Sequence, residues 1–331
     1  MILNQAFKGL NDWWRYLLGI LIVIAAYGIG QIPLTILLFT TIGSNQDIGV
    51  DELETFNKSM DFTLLGIDKN LGFALLIMIF IFALAGLWLT VKYLHHKKII
   101  DLITPNRPID FKRILLGFGI WFLLGGMIEL VSYFIAPEDY HFRWSGSSFF
   151  VLVLISLFLL PFQTAFEELF FRGYLMQGIV GMGYRKWVAI LGSSILFGLI
   201  HSMNPEISKY GFLTMQVYYI LAGVFLALVT VLDDSLELAI GIHTAINFIG
   251  ATMITYEGSV LQTDTLFVAK ETNPWLMIAG LIVSGGLFIA ICTRLFGWKP
   301  LSSTLDDSDL QTNALPIKLS IEDDFENKNE F

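Results

Sequence analysis

Phe149-Phe150-Val151-Leu152-Val153-Leu154-Ile155-Ser156-Leu157-Phe158-Leu159-Leu160-Pro161-Phe162-Gln163-Thr164-Ala165-Phe166-Glu167-Glu168-Leu169-Phe170-Phe171-Arg172 decides how this chain is read. It is long and apolar enough to cross a bilayer, which takes about 20 residues of helix. Yet two carboxylates and a guanidinium lie near its end, and each charge at the centre of a membrane helix costs at least about 2.5–3.5 kcal/mol. Such groups are kept there for structural pairing or for chemistry.

Working outward, the 331 residues are 55% hydrophobic and 15% charged, with a mean hydropathy of +0.68. Soluble domains carry about 25% charge, so the composition indicates a polytopic membrane protein. Eight apolar segments are candidate spans, at about 17–42, 71–94, 112–135, 149–181, 187–203, 212–232, 236–255 and 274–296. The expected fold is an all-α polytopic membrane protein of about eight transmembrane helices, bundled in a conical arrangement around an intramembrane cavity. Pro33 is expected to kink the first span, as membrane helices tolerate. That span is too long for a signal-peptide core and has no cleavage pattern after it, so it reads as retained. No internal repeat suggests a two-fold transporter architecture.

The net charge of −9 says little about the membrane part, because residues 301–331 hold eight acids against two lysines. That tail reads as disordered or lying on the membrane surface. No basic patch suggests nucleic acid. The single cysteine, Cys292, allows neither an intrachain disulfide nor a thiolate metal cluster. Lys92, Lys97, Lys98, Arg107, Lys112 and Arg113 place the loop between the second and third spans in the cytoplasm. The preceding loop, with Asp47, Asp51, Glu52, Glu54, Asp61 and Asp68, suits the outside. Arg185 and Lys186 join the fourth and fifth spans inside, and both termini are then cytoplasmic. His95-His96 with Lys97-Lys98, and Trp13, Trp14 and Tyr16, read as interfacial residues. Glu129 reads as a snorkelling or neighbour-bonded residue.

Adjacent helical residues are about 100° apart, so Glu167 and Glu168 cannot share a face. Glu168 and Arg172 are an i,i+4 pair and can meet, which leaves Glu167 without a local cation. A carboxylate desolvated in that way suits general acid–base work near neutrality. The structural alternative is one static ion network tying helices together. Gln163, one turn earlier, is within reach of Glu167.

Two further polar sites interrupt apolar spans: Phe197-Gly198-Leu199-Ile200-His201 and His243-Thr244-Ala245-Ile246-Asn247. If the fourth and fifth spans form a hairpin turning between Met182 and Trp187, Glu167 and His201 lie level, each about 21–23 Å from the turn. A helix break at Pro161 would undo that match. His243 and Asn247 share a face, about 15 and 20 Å from the Asp233-Asp234 turn. A lone histidine is more often a packing residue than a catalyst, and an intramembrane asparagine often serves only interhelical bonding.

Taken together, these residues support two chemistries. In the first, Glu167 activates water with His201 assisting, while His243 and Asn247 donate hydrogen bonds to a developing oxyanion. In the second, Glu167, His201 and His243 ligate zinc. No HExxH occurs and Asn247 suits an oxyanion donor, so a site with no cofactor is preferred and zinc is the alternative.

The blocks EExxxR (Glu167, Glu168, Arg172), FxxxH (Phe197, His201) and HxxxN (His243, Asn247), in this order on separate apolar segments, closely resemble the CAAX protease and bacteriocin-processing family of intramembrane endopeptidases. The resemblance covers about residues 149–255. It implies an eight-helix fold with its site in a membrane cavity, water activation by Glu167 and His201, oxyanion stabilisation by His243 and Asn247, and supporting roles for Glu168 and Arg172.

The chain then divides into 1–148, three spans with their loops; 149–255, the catalytic core; 256–300, the last loop and span; and 301–331, the acidic cytoplasmic tail. The expected activity is hydrolysis of a peptide bond in a peptide or membrane-protein substrate, beside the lipid bilayer of a plasma membrane, by default a bacterial one. The competing readings are a non-proteolytic scaffold or immunity-type binder using the same cavity, and a proton-coupled transporter, since intramembrane Glu and His also serve as relays.

Overall fold

The computed structural model describes residues 1–45, 48–105, 107–256, 258–260, 262–270 and 272–310. Among the described residues, seven helices are long and apolar enough to cross a membrane: α1 (Trp13–Ser44), α2 (Lys69–Leu94), α3 (Phe111–Ile135), α4 (Ser147–Gly181), α5 (Lys186–Met203), α6 (Phe212–Asp233) and, after a shorter α7, α8 (Pro274–Phe296). The chain is an integral membrane protein of all-α class. Local chemistry sets several of the boundaries. Asp68, Asp110 and Asn273 cap the first turns of α2, α3 and α8 by accepting from Leu71, Lys112 and Trp275 N–H groups. Gly297 ends α8 in the left-handed conformation. Pro33 and Pro161 are carried inside α1 and α4 without ending them, so the hairpin that aligns Glu167 with His201 is not broken at Pro161.

The segment expected to span at 236–255 differs in form. Helix α7 (Glu237–Phe248) has twelve residues, continues as a π-helical stretch (Ile249–Met253) and ends in a strand. The physical reason is burial, because nearly every residue from Glu237 to Ala245 is covered by protein. A helix wrapped by its neighbours satisfies its ends within the protein, so the segment runs from the Arg107 end of the bundle to its final strand without a lone helix of about 20 residues. It lies against α3 with backbones in contact: a Cβ on Gly117 would sit 2.5 Å from the Leu238 carbonyl oxygen, and one on Gly241 would collide with the Ile114 carbonyl. Close approach through small residues is the usual mode of membrane helix packing. Against α4, the Thr164 and Thr244 hydroxyls meet at 2.7 Å.

Three short strands, which hydropathy did not reveal, form a sheet at one end of the bundle. β1 (Tyr140–Phe142) pairs antiparallel with β3 (Phe267–Ala269), which pairs in parallel with β2 (Ile254–Tyr256). In the first long loop, helix Val50–Ser59 holds the acids Asp51, Glu52 and Glu54; Asp47 lies outside the described residues.

Three peripheral expectations are corrected. His95 is 1% exposed, bonded through Nδ1 to the Leu10 carbonyl and through Nε2 to the Tyr174 hydroxyl. Lys97 is also buried, donating to the Ala6 carbonyl and to Asn11 Oδ1. Tyr16 is buried and donates to the same Asn11 Oδ1. These residues tie the N-terminal segment to the loop after α2 instead of forming an interfacial belt, whereas Trp13 and Trp14 are exposed as expected. The start of the tail is structured too. Residues Leu301–Thr304 form a short helix, and the buried Lys186 ammonium is held by the Thr304 and Asp306 carbonyls and by Asp309. The rest of the tail, residues 311–331, lies outside the described residues.

Candidate active site

The fourth span reaches Glu168 as a regular helix and then widens to π-helical geometry over Leu169–Leu175. Such local widening of a helix occurs often at functional sites. Here it carries Arg172, buried completely, back onto Glu168. The guanidinium donates Nη1 to Glu168 Oε1 at 2.9 Å and Nη2 to the Gly223 carbonyl at 3.2 Å, and it lies over the Phe197 ring at 4.4 Å. The i,i+4 pair expected from the sequence is therefore present. Phe197 has a role the sequence did not reveal: its aromatic face carries the cation.

Glu168 does more than accompany Arg172. Its Oε1 also accepts from His243 Nδ1 at 2.7 Å, a contact across 75 positions of sequence. That bond fixes the imidazole and turns Nε2 toward Glu167, whose Oε2 is 3.7 Å away. Glu167 is 5% exposed; its Oε1 accepts from Gln163 Nε2 at 3.3 Å, and its Oε2 has no hydrogen-bond partner. Gln163 spans two site residues, since its Oε1 also accepts from Asn247 Nδ2 at 3.4 Å. The long bonds through Gln163 are weak by hydrogen-bond standards and can be exchanged for a ligand's groups.

His201 stands where α5 ends as a regular helix, in a tight turn over His201–Met203. Its Nδ1 is 2.7 Å from the Phe197 carbonyl oxygen. A carbonyl only accepts, so Nδ1 carries the proton and Nε2 holds a lone pair. The ring stacks on Tyr219 at 4.6 Å between centroids, and the Tyr219 hydroxyl accepts from Asn204.

Glu167, His201, His243 and Asn247 all line one cavity of about 730 Å³, together with Gln163 and Phe197. The structure thus brings together every sequence-derived site residue, with Glu168 and Arg172 buried directly behind them. Glu129 lines the same cavity, and Glu206 and Tyr219 were not singled out by the sequence. No sequence signal distinguishes Glu206, a lone acid in a short connection. Among the described residues, no group of three or more His, Cys, Asp or Glu side chains is arranged to hold a metal ion. His201 and His243 each commit Nδ1 to a protein acceptor and keep Nε2 for a further partner, and Glu167 Oε2 has no hydrogen-bond partner, so these three groups could also turn toward a zinc ion.

Comparison with known proteins bears on the same segment. The family model described as Rce1-like, type II CAAX prenyl endopeptidase, matches residues 147–249, which include all three motif blocks. The uncharacterized protein YyaK of Bacillus subtilis (strain 168) is 30% identical over 269 residues, covering 81% of this chain and 87% of that protein. No solved structure matches.

Proposed function

We infer, from the premise that the chain belongs to the CAAX protease and bacteriocin-processing family, that it hydrolyses a peptide bond inside the membrane with Glu167 as general base. The observation that carries this reading is the Glu167 carboxylate, buried with one oxygen free of partners, in a residue that lines a cavity shared with His201, His243 and Asn247. In the proposed step, a water held between Glu167 Oε2 and His201 Nε2 loses a proton to the carboxylate as its oxygen attacks the scissile carbonyl carbon. The carbonyl π bond becomes an oxyanion, held by Asn247 Nδ2 and by His243 Nε2 when that nitrogen carries a proton. Collapse of the tetrahedral species breaks the C–N bond, and Glu167 returns the proton to the leaving nitrogen.

Glu168 and Arg172 act behind this set, as one positioning unit for His243. Asn247, which suits an oxyanion donor better than a zinc ligand, favours a reaction without a resident metal. Both termini in the cytoplasm follow from the lysine and arginine distribution; that orientation, and a bacterial cell membrane as the default location, belong to the same proposal.

The test is to purify the protein, incubate it with peptide and membrane-protein libraries, and sequence new termini by mass spectrometry beside Glu167→Ala and His201→Ala. Products expected from the wild type are absent or at least a hundredfold slower in both variants. Wild-type products unchanged in both variants would remove the enzyme assignment of these residues. A chelator arm completes the test: turnover should survive it, and loss of turnover restored by zinc would replace the metal-free step.

A further inference from the structure

Glu206 lies in the short helix Pro205–Tyr210, just past the turn that holds His201, and lines the cavity that holds Glu167. It is 3% exposed. Its Oε1 accepts from the Val260 N–H at 2.8 Å and from the Tyr256 hydroxyl at 3.5 Å, whereas Oε2 is buried with no partner. An ionised carboxylate taken out of water is stable only when paired, and among the described residues no cation pairs with Glu206. Lys209, three residues on, has its ammonium over the Tyr210 ring at 5.5 Å and does not line the cavity.

The cavity wall extends that observation. Its titratable lining includes the carboxyls Glu129, Glu167 and Glu206 and the phenols of several tyrosines, while no lysine or arginine lines it among the described residues. Tyrosine faces add further attraction for a cation. Burial raises the Glu206 carboxyl above its ordinary value, opposed by the Val260 N–H and the Tyr256 hydroxyl, and a cation brought beside it would favour the ionised form.

Building on the proposed proteolytic reading, we propose that Glu206 is a specificity-determining residue that binds a basic side chain, lysine or arginine, of the substrate segment entering the cavity. The same wall disfavours a substrate's terminal carboxylate, which would meet acids and no basic group. The recognised unit is therefore an internal segment with a cation placed a few residues from the scissile bond.

The test uses the full chain in lipid nanodiscs, in the Glu167→Gln form so that binding is read without hydrolysis. Fluorescent apolar peptides differ at one position that carries lysine, arginine, Nε-acetyl-lysine or glutamine, each with a free or amidated C-terminus. Lysine and arginine peptides should bind about tenfold tighter than the neutral ones, the scale of a charge-assisted hydrogen bond. Adding Glu206→Gln, which keeps an acceptor for the Val260 N–H, should bring that ratio close to one. The lysine against acetyl-lysine comparison needs no Glu206 variant, so it stands even if that variant folds poorly. Equal binding of lysine and acetyl-lysine peptides, a ratio unchanged by Glu206→Gln, or tighter binding of free carboxyl termini would each overturn the proposal. Basic preference in binding with no wild-type cleavage would refute the protease and leave this site standing. Cleavage indifferent to charge would do the reverse.

Discussion

Two of the buried clusters of opposite charges in the molecule are built to different rules. At the Asp233-Asp234 end of the bundle, Glu237 is gripped by Arg107 through two bonds of 3.0 and 2.6 Å and also accepts from the Asp110 N–H and the Ser235 hydroxyl. Asp233 accepts from Arg113, Ser235 and the Trp298 indole. Every oxygen of these two carboxylates has a partner. Within the bundle, Glu168 concentrates Arg172 and His243 on one oxygen, while Glu168 Oε2 and Glu167 Oε2 have none. Saturation is what a structural clamp requires, since each unpaired buried charge is costly. Deliberate incompleteness beside a cavity is what chemistry requires. The difference teaches that pairing state separates a site from a strut, and that burial does not.

The sharpest way to break this comparison is Glu167→Gln. It should lower proteolytic turnover about 10³–10⁴-fold with thermal unfolding unchanged, because the amide still accepts from Gln163. Full turnover by this variant would make the two clusters alike. Arg172→Met comes next. It leaves Glu168 as an uncompensated buried charge and should destabilise the fold by about 3–5 kcal/mol, read from denaturant unfolding in mild detergent.

A third, smaller effect sharpens the comparison at the paired end of the molecule, where His95 bonds through both ring nitrogens. Burial, as the largest cause, lowers its pKa to about 4, from an ordinary value of 6.5. The unfolded chain therefore binds this proton first as pH falls, and stability declines from about pH 6.5 down to about pH 4. The loss is at most on the order of 3 kcal/mol. His95→Gln should flatten that part of the melting-temperature profile; an equally steep profile in the variant would assign the titration elsewhere.

The mildest change is Glu237→Gln, expected to cost about 1–3 kcal/mol, since Arg107 is partly exposed and can turn to water. Turnover by the folded variant should equal that of the wild type. A catalytic defect without unfolding would show that the clamp has a second task.

Much of the fold is legible because a span must be about 20 apolar residues long. The run from Phe149, with its charges at 167, 168 and 172, announces both a helix and a site. Gln163 is readable as a neighbour of Glu167 from helical spacing alone. Other features leave no such trace. The π-helical widening after Glu168 has no hydropathy signature, and three-residue strands are too short for an alternating pattern. Tyr16, His95 and Lys97 look interfacial because side-chain type reports polarity, whereas burial is decided by which segment folds over them.

By itself the sequence determined a polytopic helical membrane protein and a set of polar residues on three apolar segments, because hydropathy and helical periodicity act within one segment. Only the tertiary structure decided which of those residues meet. Glu168 reaches His243 across 75 positions, α7 is covered by its neighbours and so stays short, and Glu206, with one carboxylate oxygen buried and unpartnered, lines the cavity of Glu167. These outcomes depend on contacts between segments, which no local pattern encodes.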